Sequence, residues 1–419
     1  MRDRIAHPNV TFAALSLLFF VVSAGSFSSL GVVLPAMVKE LEWSWTEAGL
    51  GFTLLGLTCG LGSFIPALLI RRIGVRGTMI VGTIILVSGF GAMALTNSVW
   101  LYFIATSLVG VAFAVCATVP GTHVLTALFD KRSTALGGYF TIGALGGVAG
   151  PLLYIALHDL TDGWRAYWWA FVIMSLLAGV FAAITTPWRY DPTAEELAAE
   201  RNLAPAEVLA GLKAWTVRKA LATPQYYIIV GGYTTYLLIN TTAHGFAVAH
   251  LMERGISQTV AAQVLSLEAL IGAGVGVIGG IIGEKVSSKM LMLVSLGAVT
   301  IGMVGLAYAT GWPLMLVFAF GVGIGFGLSF IASTMLLFNY FGKAPNLELY
   351  SIMTMISTTA ALGPAFGGWA RDTFGSFSGL FLLCAALTAL MLLATLFMQP
   401  PNLKAAKEPA NPVPEAPIL

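Results

Sequence analysis

Twelve apolar stretches, each long enough to cross a lipid bilayer, recur along this chain with little between them. They cover residues 11–37, 46–70, 77–96, 100–128, 133–157, 164–187, 225–250, 257–282, 289–309, 313–338, 348–370 and 376–398. A helix needs about 20 apolar residues to cross the hydrocarbon layer. Hydrocarbon offers no partner to a backbone N–H or C=O, so a spanning segment must satisfy its own, as an α-helix does. The expected fold class is an all-α membrane protein with twelve transmembrane helices. Composition agrees: 10% of the 419 residues are charged, against about 25% in soluble domains. A formal net charge of +2 leaves no electrostatic footprint for nucleic acid.

One connection is long. Residues 188–224 are polar and are read as a cytoplasmic linker with one or two helical turns. The linker separates an N-terminal six-helix bundle, 1–187, from a C-terminal one, 225–398. The tail 399–419 is rich in Pro and Ala and is expected to be disordered. The first apolar run extends to Pro35, too long for a signal-peptide core, and is read as a span. With both termini in the cytoplasm, 17 of the 21 Lys and Arg residues fall on that side. Lys39, Arg165, Arg254 and Arg371 fall outside. Basic residues collect on the cytoplasmic side of membrane proteins, so this orientation, in a cell inner (plasma) membrane, is expected.

The halves repeat. A shift of 213 residues carries Arg71, Arg72 and Arg76 onto Glu284, Lys285 and Lys289. The same shift carries Gly110 onto Gly323, Gly150-Pro151 onto Gly363-Pro364, and Asp159 onto Asp372. Parallel six-helix repeats are one plan of membrane transporters, with the substrate site between the halves near the bilayer midplane.

Twelve spans in two repeated halves, with basic turns after spans two and eight, resemble the major facilitator superfamily. Gly280-Ile-Ile-Gly-Glu284-Lys285-Val-Ser-Ser-Lys289 is similar to the family's loop motif G-x-x-x-D-R-x-G-x-R. The first-half copy departs from it, with Arg71 where the acid is expected. Narrower likenesses are to monocarboxylate porters and oxalate/formate antiporter-like members. They rest on Leu41–Glu47, Thr223–Tyr227, Gly255–Ser257 and Gly363–Gly375. Those families usually carry an arginine in span eight that is associated with carboxylate binding. Gly276 occupies that place here.

Glu268 is the one acidic residue deep in a span. Burial in hydrocarbon favours the neutral form of a carboxyl, and intramembrane acids commonly mark pathways. An acid that sheds and regains a proton is what proton coupling needs. The alternative is a structural acid bonded to Asn240 or a hydroxyl. His244 and Asn240 share a face of span seven at i and i+4, with Tyr236 near it. His244 is a proton-relay candidate beside Glu268, or a histidine satisfied by a carbonyl.

Candidates for substrate contact are Asn240, Tyr236, His123, Thr122, Phe27, Tyr139, Phe330, Ser333 and Ser357. Hydroxyls and aromatics in spans also serve packing. Gating candidates are Arg71, Arg72 and Arg76 in the first basic turn, and Glu284, Lys285 and Lys289 in the second. The pairs Gly150-Pro151 and Gly363-Pro364, where helices are expected to bend, complete that set.

No metal or cofactor motif is present: Cys59, Cys116 and Cys384 are far apart, and the five histidines form no zinc spacing. A membrane enzyme would need paired acids or clustered histidines within spans. A sensor would append a domain larger than 188–224. The expectation is a non-enzymatic, proton-coupled secondary transporter with no cofactor. It moves a small organic acid or weakly polar compound by alternating access, as a monomer in the bilayer. An exporter of hydrophobic compounds is the alternative, because no Lys or Arg lies deep in a span.

Overall fold

The computed structural model describes residues 7–129, 132–161, 163–186, 215–282, 285–342 and 345–402. Ten helical stretches among them are long and apolar enough to cross a membrane. One, Trp45–Ala94, holds two spans, and Pro224–Glu253 supplies the remaining one. Twelve spans result, in two bundles of six. Of the linker, residues 188–214 lie outside the described residues; the rest carries the short helix Val217–Leu221. Tail residues 403–419 also lie outside.

Span one is two helices, Pro8–Gly25 and Phe27–Leu41, broken at Ser26. Span two begins as Trp45–Leu61 and passes through a 3-10 turn, Gly62–Phe64, into Ile65–Ala94, which also forms span three. Span four joins Val99–Ala112 to Val119–Leu128 through a π-helical stretch, Phe113–Thr118. Spans five and six are Arg132–Thr161 and Trp164–Thr185. Spans seven to ten are Pro224–Glu253, Gln258–Ile282, Ser288–Tyr308 and Trp312–Phe341. Span eleven is Asn346–Ser357, a 3-10 turn Thr358–Leu362, and Gly363–Phe374; span twelve is Ser378–Phe397.

Helix starts follow from local chemistry. Ser44 and Glu47 form a capping box at span two: Glu47 N–H donates to Ser44 Oγ and Ser44 N–H to Glu47 Oε2. These bonds occupy N–H groups that a helix start leaves without partners. Ser287 caps span nine with its side chain alone, receiving the Met290 N–H. The turn after span two needs one residue only. Gly74, at φ 76°, reverses the chain in a conformation that a side chain disfavours.

The repeat is visible in the packing. Span two lies along span eleven, span five along span eight, and Phe27–Leu41 of span one along span seven. A two-fold relation between the halves exchanges the first two pairs and maps the third onto itself. These contacts use the ends of the spans remote from the chain termini. Val119–Leu128 and Asn346–Ser357, near the termini face, pack on their own halves. The halves therefore close at one face and part toward the other. Outward-facing residues such as Phe64, Ile84, Ile281 and Phe397 are exposed and apolar, as a lipid-facing surface requires.

The repeat is broken in its details. Ser26, the π stretch and the 3-10 turns of spans two and eleven have no irregular mates; the matching parts of spans seven, ten, eight and five are unbroken helix. The matched Gly-Pro pairs differ as well. Pro151 sits inside a continuous helix, whereas Gly363-Pro364 opens a new one after the 3-10 turn.

Candidate functional site

Glu268 sits ten residues past the first residue of span eight, Gln258, and is 1% exposed. Facing it from span seven is His244, with Nε2 3.4 Å from Glu268 Oε2. The other ring nitrogen, Nδ1, is 2.9 Å from the Asn240 carbonyl oxygen, one turn back. A carbonyl only accepts, so Nδ1 carries a hydrogen. In the neutral ring Nε2 is then an acceptor aimed at the carboxyl. The backbone thus selects the tautomer, with the bare nitrogen on the Glu268 side.

One nitrogen of His244 meets the carbonyl and the other lies near the acid. Neither Glu268 oxygen has an aligned hydrogen bond among the described residues, and Asn240 Oδ1 and Ser266 Oγ are also buried without one. The 3.4 Å contact is therefore an electrostatic approach whose hydrogen-bond geometry is open. Unsatisfied buried polar atoms are costly and uncommon.

The pair stands where the halves meet. Ala269, next to Glu268, packs toward Gly147 of span five, and Ser28 of span one approaches the same glycine. A Cβ built on Gly31 would lie 1.7 Å from the His244 carbonyl oxygen. Spans one and seven therefore touch backbone to backbone beside the imidazole. Gly31 and His244 occupy one position of the repeat, 213 residues apart. The sequence reading missed Gly31, although this offset could have found it.

Four departures from α-helix geometry gather next to this contact. The Phe27 ring, just after the break at Ser26, lies 5.7 Å from that of Phe113, where the π stretch begins, and 6.0 Å from Phe52. A Cβ on Gly56 would meet Ala361 of the 3-10 turn at 2.8 Å and Phe27 at 3.9 Å. One on Gly60 would meet Thr358 at 2.7 Å. Irregular backbone at membrane depth is tolerated inside protein or along a cavity, and π stretches occur frequently at functional sites. On the C-terminal side Phe330, 48% exposed, pairs with Tyr233 and Tyr350 at 6.3 and 6.2 Å. Phe113, Tyr233 and Tyr350 were not singled out from sequence, because an aromatic in a span is ordinarily packing.

The other candidates are scattered. Tyr236 is buried, two turns before His244. Tyr139 is fully buried, and its hydroxyl donates to the Ala117 carbonyl of the π stretch at 2.7 Å. Thr122 and Ser333 donate to carbonyls of their own helices. Ser357 pairs with Thr234 of span seven at 2.9 Å. His123 is exposed on span four.

Among the gating candidates, Arg71, Arg72 and Lys285 are exposed and Arg76 is half-buried. Lys289 Nζ donates to the carbonyls of Leu396 and Met398, closing the end of span twelve. Glu284 lies outside the described residues. Gly150 packs against Ala24 and Ser29 of span one, and Gly363 against span seven.

The chain is 25% identical over 390 residues to monocarboxylate transporter 11 of Mus musculus, covering 87% of this chain and 81% of that protein. It is 27% identical over 192 residues to a putative tartrate transporter of Agrobacterium vitis, covering 45% of this chain and 42% of that protein. The crystal structure of the nucleoside transporter NupG superposes with a TM-score of 0.72 at 14% identity, covering 93% of this chain and 98% of that one. The family model for the Major Facilitator Superfamily matches residues 15–358. The chain belongs to the Major Facilitator Superfamily and is one of its membrane transporters.

Proposed function

We propose that this transporter is driven by protons and moves a small organic acid, or a weakly polar compound of similar size, by alternating access. The observation that carries this reading is the buried His244–Glu268 pair, 3.4 Å apart. A carboxyl with no fixed hydrogen bond is free to give its proton to an imidazole whose receiving nitrogen is turned toward it. The position supports the same reading, because the His244 backbone lies against span one, and Ala269, next to Glu268, lies toward span five of the other half. A change in how the halves meet changes the surroundings of the proton.

The relatives support an organic acid as cargo, one being a monocarboxylate transporter and another a putative tartrate transporter. The span-eight position Gly276 brings no cation. A carboxylate cargo would then balance its charge with the coupled proton rather than with an arginine. The basic residues of the termini face support cytoplasmic termini in a cell inner membrane, and the described conformation then opens to the cytoplasm. Uptake by symport follows most simply.

The second reading, export of hydrophobic compounds, is favoured by the half-exposed Phe330 beside Tyr233 and Tyr350. Flux into proteoliposomes separates the two. Acid outside should accelerate uptake of a labelled monocarboxylate, and a protonophore should abolish the gain. Uptake indifferent to the pH gradient, with efflux of an apolar dye instead, would favour the exporter.

A further inference from the structure

Asp372 ends span eleven on the face remote from the termini, yet its partners belong to the other half. Its carboxylate accepts the backbone N–H of Trp45 at 3.1 Å, that of Thr46 at 2.8 Å and the Thr46 hydroxyl at 2.5 Å. Trp45 and Thr46 open span two, where helix N–H groups lack internal partners and the helix dipole presents positive charge. Ser44 and Glu47 satisfy part of that helix start from within the N-terminal half. The remaining N–H groups go to a carboxylate 327 residues away.

The approach is built into both backbones. A Cβ on Gly368, one turn before Asp372, would lie 2.0 Å from the Trp45 carbonyl oxygen, and one on Gly49 would lie 2.2 Å from that of Pro364. Ala365 N–H donates to Thr53 Oγ1 at 3.0 Å. Gly363-Pro364 and Asp372 recur in the first half as Gly150-Pro151 and Asp159. The second copy is the strip by which span eleven docks on span two. Neighbouring Arg371 is held by Glu253 of its own half at 2.6 Å, which leaves the Asp372 carboxylate to span two.

We infer that Asp372 is a positioning residue for transport: its carboxylate, by capping span two across the halves, sets how often the face remote from the termini opens. The cap exists only while that face is closed. Moving the ends of spans two and eleven apart leaves three donors and a carboxylate to water. The inference rests on the alternating-access reading and is independent of which ion or cargo is carried.

The test uses spin labels on Leu95→Cys and Tyr308→Cys, two exposed sites on that face in opposite halves, with Cys59, Cys116 and Cys384 replaced. Distances are measured in proteoliposomes. Losing a carboxylate that caps an exposed helix start should raise the long-distance, open population about three- to tenfold in Asp372→Ala. Thr46→Val, which removes only the hydroxyl donor, should give a smaller rise at unchanged thermal stability. The ratio of net uptake to substrate exchange should shift in the same order, which a general loss of folding would not produce. A parent that samples two distances, with Asp372→Ala and Thr46→Val both matching it, overturns the inference and leaves alternating access standing. A single fixed distance in every variant and under every gradient overturns both.

Discussion

His244 Nε2 lies 3.4 Å from Glu268 Oε2, while Nδ1 of the same ring is tied to the Asn240 carbonyl at 2.9 Å. The ring therefore has one nitrogen tied to the backbone and one facing the acid. Substitutions can separate the two. Asparagine at 244 keeps a donor near the Nδ1 position and deletes Nε2. His244→Asn should fold like the parent and lose about tenfold or more in pH-driven uptake, the loss expected when a positioned proton acceptor is removed. Initial rates in proteoliposomes, set beside thermal unfolding, check this.

Gly31 makes the closest described approach to the pair from the other half. A Cβ there would stand 1.7 Å from the His244 carbonyl oxygen, a contact that only backbone movement can relieve. Gly31→Ala should disfavour the conformation described here by about 1–3 kcal/mol, the usual cost of overpacking. The variant should melt several degrees lower and expose the face remote from the termini more often to a membrane-impermeant thiol reagent.

Gly74 carries the reversal between spans two and three at φ 76°. An L-residue there costs about 1–2 kcal/mol of backbone strain. Gly74→Ala should lower thermal stability accordingly, while Gly77→Ala, in ordinary helical geometry, should cost less. The difference between the two melting temperatures is the reading, because the two glycines lie three residues apart, one at the reversal and one in the helix that follows it.

Phe27 touches Phe52 and Phe113 where spans one and four lose α-helical order. If cargo rests against this cluster, Phe27→Ala removes apolar contact worth about 1.5–3 kcal/mol when fully covered. The KM for cargo should rise about tenfold with folding preserved. Competition binding with the purified transporter measures the same quantity without transport.

Much of this molecule was legible in its sequence, for identifiable reasons. Spans follow from the length of apolar runs, and the halves follow from one offset that matches basic turns and Gly-Pro pairs. Glu268 stood out because a lone acid in hydrocarbon is costly, and His244 because sequential spans bring it near. The break at Ser26 was not legible, since Gly25-Ser26 is unremarkable within an apolar run. The π stretch Phe113–Thr118 left no mark for the same reason. Asp372 was read only as part of a repeat, because its partners are backbone N–H groups of residues 45 and 46, which no side-chain pattern advertises. Tyr139, a substrate-contact candidate for which packing was the stronger reading, is fully buried and donates to the π stretch.

The central claim is that Glu268 carries the coupled proton, and one measurement addresses it directly. Glutamine has the shape of a protonated glutamate and cannot ionise. Net uptake and substrate exchange are compared for Glu268→Gln and the parent in proteoliposomes under an imposed pH gradient. The account predicts that Glu268→Gln still exchanges cargo across the membrane while its pH-driven net uptake falls to the background of empty vesicles. Net uptake equal to that of the parent, with the same dependence on pH, would contradict it.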